Sequence, residues 1–173
     1  MKWIFRVLGI IVALALCVVA IGAALPRQHV VSRQVMCHQP PEAVWQAIMD
    51  SEKFPSWIKG VARVEPFKSP DGNPGWTEVL STGMRIPLEI TAQEPPRRLV
   101  TRIADPKLPW GGTWTTEITP APGGSVMRIT EDGYVNNPLF RFLSRFVFGY
   151  ADTLDSYMKS LGGKFGEQVT ILN

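Results

Sequence analysis

The sequence predicts an α+β fold: a sheet of about seven antiparallel strands, then a long C-terminal helix, with an apolar transmembrane helix ahead of the domain. Three observations carry that reading. Val7 to Leu25 is an apolar run without a charge; from Val61 to Tyr134 short β-type runs alternate with turn formers; and from Asn137 apolar residues recur at three- and four-residue spacing. At 173 residues the chain has room for one ordinary domain beside the N-terminal segment. The division expected is a membrane segment over residues 1–26 and a folded domain over residues 27–173.

As a helix, Val7 to Leu25 spans ~28 Å, close to the hydrocarbon thickness of a bilayer. Lys2 and Arg6 precede it, which favours a cytoplasmic N-terminus with the domain on the non-cytoplasmic side, although Arg27 and Arg33 beyond it weaken that assignment. Gly22 and Ala24 are spaced as a signal-peptidase site, so export after cleavage is the alternative. The run exceeds the ~7 to 15 residues of a usual signal core, which favours a retained anchor.

The net charge of +3 does not describe the domain. Lys2, Arg6, Arg27 and Arg33 stand in the first 33 residues with no acid, and removing these four from 18 basic residues leaves 14 against 15 acidic ones. A near-neutral domain without a basic stripe argues against nucleic acid as a partner. Cys17 and Cys37 fall in different parts of the chain and form no disulfide framework, and His29 and His38 have no metal-ligand spacing around them. Neither a metal nor another cofactor is expected. The histidine in the first strand reads as structural.

Val30 to Met36 alternates as the first strand. Gln39-Pro40-Pro41-Glu42 opens a helix whose apolar face is Val44, Trp45, Ile48 and Met49, because proline suits the first turn and an early acid suits the helix dipole. Asp50 to Lys59 reads as a second short helix broken at Pro55. Strands follow at Val61 to Phe67, Trp76 to Ser81, Arg85 to Gln93, Leu99 to Ala104, Thr113 to Thr119 and Val126 to Tyr134. In the Arg85 strand, Ile86, Leu88, Ile90 and Ala92 form a buried face, and Arg85, Glu89, Thr91 and Gln93 a wet one. Ser69 to Gly75, Pro95-Pro96, Asp105 to Gly112 and Pro120 to Gly124 supply the turns. The last helix, capped by Asn137, is expected to run unbroken to about Gly166, facing inward with Leu139, Phe140, Leu143, Val147, Tyr150, Leu154, Tyr157, Leu161 and Phe165.

That element order is the order of a helix-grip fold. With it, Pro41-Glu42-Ala43-Val44-Trp45, Phe54-Pro55-Ser56-Trp57, Gly75-Trp76-Thr77-Glu78, Pro95-Pro96-Arg97-Arg98-Leu99-Val100 and Gly112-Thr113-Trp114 resemble the polyketide cyclase/dehydrase and lipid-transport superfamily, the START and Bet v 1-like proteins. The resemblance covers about Val30 to Gly166. It implies a curved sheet wrapped around the C-terminal helix, with an apolar cavity for a lipid, sterol, polyketide or other hydrophobic molecule. The family holds carriers, sensors and some enzymes, so fold does not choose among them.

The sequence contains no nucleophile elbow, phosphate loop or metal constellation. Any catalysis rests on carboxylates, with Glu78 and Glu131 the candidates, since each shares a strand face with apolar neighbours; pairing with a base such as Arg102 is the structural alternative. Ligand contacts are expected from Trp57, Trp76, Glu78, Arg102, Trp114, Glu131, Tyr150 and Tyr157, with Trp110 a further indole, although core packing explains each aromatic as well. Arg141, Arg145 and Phe148 fall on one side of the last helix and suit contact with membrane lipid headgroups. The function expected is membrane-tethered binding or transfer of a hydrophobic small molecule; a cyclase or dehydratase, or a non-catalytic interaction module, is the rival.

Overall fold

The structure, a computed structural model, describes residues 2–173. Helix α1 (Lys2–Ala24) leads directly into β1 (Gln28–Cys37), followed by α2 (Pro41–Met49) and a 3-10 turn at Ser51–Ser56. Six strands come next: β2 (Val61–Lys68), β3 (Pro74–Leu80), β4 (Arg85–Glu94), β5 (Arg98–Ile103), β6 (Trp110–Ala121) and β7 (Gly124–Val135). Helices α3 (Pro138–Leu143) and α4 (Asp152–Lys164) follow, and β8 (Ile171–Leu172) ends the chain.

The sheet is antiparallel, in the order β2-β3-β4-β5-β6-β7-β1-β8. Consecutive strands from β2 to β7 pair as hairpins, and β1 returns to pair with β7 along its whole length, Gln28 opposite Tyr134 through Cys37 opposite Ser125. Register slips between Val61 and Arg63 in β2 and between Ile90 and Ala92 in β4 are bulges. Each bends its strand, and together they help the sheet curl around a helix. The eighth strand lies beyond the stretch read from sequence; it pairs with β1 at Gln34 and Val35.

Helix α2 starts as its prolines dictate: Pro40 is extended at the cap, Pro41 occupies the first turn, and Val44, Ala47 and Ile48 are buried at helical spacing. These side chains pack with Val35, Ile118, Met127 and Ile129 of the sheet and Leu154, Met158 and Leu161 of α4. Leu154, Met158 and Leu161 are 0 % exposed, each contributing about 1.5–3 kcal/mol by burial. A second cluster of Phe54, Val61 and Trp76 closes the β2–β3 end.

The single C-terminal helix expected from sequence is two. Asn137 caps α3 as predicted, its Oδ1 accepting from the amides of Leu139 at 2.9 Å and Phe140 at 3.2 Å. Past Leu143 the backbone widens into a π-type turn, Ser144–Phe148, and Gly149 breaks the run with φ of 83° before α4 begins. Val147, expected inward, lies outside at 60 % exposure. The wet face expected for β4 is also only partly so. Glu89 is buried there, because the β2–β3 loop folds over it and Asn73 donates to its Oε2 at 3.0 Å.

Candidate functional site

Between the concave face of the sheet and α4 lies a cavity of about 610 Å³. Its walls are largely apolar, with Leu88, Leu99, Ile103 and Val135 among them, and polar side chains gather at two places.

The first is on β3. Strand parity puts Trp76 and Glu78 on the same face, and the Trp76 indole N–H donates to Glu78 Oε1 at 3.2 Å. Phe54 holds that indole edge-on, ring centroids 5.5 Å apart. Burial pushes the Glu78 carboxyl above the ordinary carboxylate range, against the smaller opposing effect of the Trp76 hydrogen bond. Tyr157 of α4 joins this group: burial of its hydroxyl, and then the charge of Glu78, raise its pKa.

The second place joins β1, β6 and β7. Glu131 Oε2 accepts from the Trp114 indole N–H at 2.8 Å, and Oε1 lies 3.0 Å from His29 Nε2. With the carboxylate as acceptor, Nε2 is the donor of this pair, and the ring's other nitrogen is Nδ1. That nitrogen is buried and has no hydrogen-bond partner. Tyr150 stacks on the imidazole at 4.2 Å. Opposite His29 in register stands Gly133, where a Cβ would come within 2.7 Å of the ring, so the absence of a side chain makes the seat for the histidine. Trp114 also meets Tyr157 edge-on at 5.6 Å, linking the two places through aromatic contact.

Trp76, Glu78, Trp110, Trp114, Glu131, Tyr150 and Tyr157 therefore all line one cavity. Two expected ligand contacts do not. Arg102 points to the opposite face of β5 from Thr101 and Ile103, and its Nε donates to Glu89 Oε1 at 2.8 Å. Asn73 above all, with Arg102, holds the Glu89 carboxyl below its usual range despite burial. Arg102 is thus the partner of neither Glu78 nor Glu131. Trp57 stands behind Tyr157, ring centroids 5.6 Å apart, with Lys164 Nζ 5.7 Å over its face.

The expected membrane-contact trio also divides. Arg145 and Phe148 are exposed, whereas Arg141 is 4 % exposed and donates from Nη1 to the carbonyl oxygens of Leu25 at 2.7 Å and Ala23 at 3.4 Å. It caps the end of α1 rather than meeting solvent. His29 is the cavity residue that a structural reading of the first strand passed over. Its signal was parity: His29, Val31, Val35 and Cys37 alternate onto one face. Among the described residues, no group of three His, Cys, Asp or Glu side chains converges as a metal site. Chemically the cavity offers an apolar slot, a carboxyl predisposed to hold its proton, and a second carboxylate bridged to an imidazole.

Three solved structures illustrate the fold. Protein MLL2253 from Mesorhizobium loti matches with a TM-score of 0.59 at 19 % identity, over 81 % of this chain and 97 % of that one. A START superfamily protein from Mycobacterium smegmatis matches at 0.60 and 18 %, over 79 % and 96 %. The di-domain ARO/CYC StfQ from the steffimycin biosynthetic pathway matches at 0.61 and 14 %, over 79 % of this chain and 50 % of that one. At these identities the likeness is one of fold. A comparison with curated protein sequences finds no significant match. The family model described as polyketide cyclase / dehydrase and lipid transport matches residues 28–157, from the first strand into α4, and the chain belongs to that family.

Proposed function

We propose that the protein is a membrane-tethered binder or carrier of a hydrophobic small molecule, lipid-like or polyketide-like, held in the cavity between the sheet and α4. The observation that carries this reading is the cavity itself: about 610 Å³ of mainly apolar space, with its few polar groups organised in advance by indole N–H donors. An apolar tail is recognised by burial, and Glu78 or the His29–Glu131 pair meets its polar end. An interaction module with a filled core is disfavoured by the same space.

Helix α1 supports the tether. Its 23 residues span ~35 Å, enough to cross a bilayer. Cleavage after Ala24 would remove the helix end that Arg141 caps and the Gly22 surface packed on α3, so a retained anchor fits the packing better than a cleaved signal. Lys2 and Arg6 ahead of α1 support a domain on the non-cytoplasmic side, against the opposing pull of Arg27 and Arg33. Native mass spectrometry of the full chain released from lipid nanodiscs tests the proposal. Retained lipid, with uptake of a fluorescent fatty acid, is expected; an empty cavity with no uptake overturns it.

The second reading, an enzyme of the cyclase or dehydratase type, is favoured by one observation. Glu78 faces the cavity with a carboxyl biased toward its protonated form, as a general acid requires. Glu78→Gln separates the two readings: a carrier keeps its ligand uptake, and an enzyme loses turnover while keeping substrate binding.

A further inference from the structure

Helix α1 is joined to the domain rather than strung from it. Along the helix only Val18 and Gly22 lose exposure, one turn apart, and the element packed against its end is α3. A Cβ at Gly22 would collide with the Pro138 carbonyl and lie 3.4 Å from Phe142 Cβ, so the backbones meet because glycine permits it. Arg141 completes the joint. A helix leaves its last carbonyls unpaired and partly negative, and the guanidinium of α3 donates to those of Ala23 and Leu25. The end of the apolar helix and the segment 138–148 thus form one body.

That segment carries an aromatic and aliphatic surface that protein covers only in part. Phe140 is 45 % exposed, Phe146 58 %, Val147 60 % and Phe148 63 %. Phe140, Ser144 and Phe148, spaced at four residues, also line the cavity, so the segment is part of its wall as well as of the outer surface. Gly149, at a positive φ that other residues resist, separates it from α4, whose inner face is buried.

We infer that segment 138–148 is seated in the interfacial layer of the bilayer that α1 crosses, and forms the door through which a lipid-like molecule passes between membrane and cavity. Depth follows from the joint. Val18 lies ~10 Å back along α1 from Leu25, so the segment packed beside that turn stands level with the hydrocarbon edge. Aromatic side chains favour that layer, and the exposed Arg145 reaches the headgroups while its methylenes remain among acyl chains. The occupant of the surface is lipid, since a soluble partner would have to compete with the membrane for a face held at that depth.

The inference rests on the proposed tether and cavity ligand, and two measurements separate its failure from theirs. Nitroxide labels are placed at Phe146→Cys, Phe148→Cys and, at the far end of the β6–β7 hairpin, Pro122→Cys. Each variant is made in the full chain carrying Cys17→Ala and reconstituted in phosphatidylcholine/phosphatidylglycerol vesicles. Labels at 146 and 148 are expected to meet oxygen and escape a water-soluble nickel reagent, and the label at 122 to do the reverse. Equal access of the nickel reagent at all three positions overturns the seating. In the second measurement, Phe146→Ser/Val147→Ser, at two exposed positions outside the cavity wall, is expected to slow uptake of a dansyl fatty acid from vesicles several-fold while leaving uptake from cyclodextrin unchanged. Equal slowing from both sources, or none, overturns the door. No uptake by the unaltered chain from either source contradicts the ligand-binding reading alone, and the label depths still decide the seating.

Discussion

Two stretches of the C-terminal arm carry apolar side chains with opposite fates. In α4, Leu154, Met158 and Leu161 face the sheet and are wholly covered, while in the turn before Gly149, Phe146, Val147 and Phe148 stand in the open. Apolar periodicity tells which residues seek cover; it does not tell whether protein or something else supplies it. In α4 the cover is Val35, Ile118, Met127 and Ile129. In the turn it is proposed to be the bilayer.

The contrast is broken most severely inside α4. Met158→Ala should cost about 2–5 kcal/mol in urea unfolding, because the cavity left cannot collapse between helix and sheet. The matching change outside, Phe146→Ser, should cost no more than about 1.5 kcal/mol, the worth of its ring contact with Phe142. A large loss at Phe146 would mean that protein covers it.

Next in size is the joint between α1 and α3. Gly22→Val sets a branched side chain against the Pro138 carbonyl and should cost about 1–3 kcal/mol through overpacking, unless α1 and α3 separate. Hydrogen exchange should then quicken in α3 and not in α4. Unchanged exchange in α3 would show that the joint is not a structural bond.

Within the cavity, the sign of the pH effect separates Glu78 from surface acids. Its folded-state pKa is raised, so its carboxyl imposes no cost below the unfolded value. Stability is then lost as pH rises from the unfolded toward the folded pKa. Glu78→Gln should flatten that decline in a series of thermal unfolding curves; an unchanged slope would mean that the carboxyl is effectively solvated. Glu65 has the opposite sign. Arg85 and then Arg63 draw its pKa down to about 2, so its contribution is present above the ordinary carboxylate range and fades as pH falls. The pairs lie at the surface, where solvent screens them, and Glu65→Gln should be barely measurable and weaker still in high salt.

Much of the fold was legible because local chemistry and tertiary structure agree. Pro40-Pro41-Glu42 opens α2, Asn137 caps α3, and the proline- and glycine-rich loops separate the strands where turn residues predict. The break at Gly149 was not legible, since Leu143, Val147, Tyr150 and Leu154 preserve helical spacing across it. Glu89 escaped because its burial comes from a loop distant in sequence. Arg141 shows the same limit at the site: on helical spacing it groups with Arg145 and Phe148, but its partners are backbone carbonyls more than a hundred residues away. Glu78, Glu131, Trp76 and Trp114 were accessible through strand parity. His29 was accessible too, but the value of its parity appears only once Gly133 and Glu131 are found across the β1–β7 ladder.

The central claim, that the cavity takes up an apolar ligand, is tested most directly by filling it. Thr101 and Thr116 are buried cavity residues on adjacent strands, and Thr101→Phe/Thr116→Phe places two rings in the ligand space. In nanodisc-embedded full-length protein titrated with a dansyl fatty acid from cyclodextrin, the unaltered chain should bind saturably and the filled variant, still folded by circular dichroism, should not. Equal uptake by both chains would place the ligand elsewhere and contradict the account.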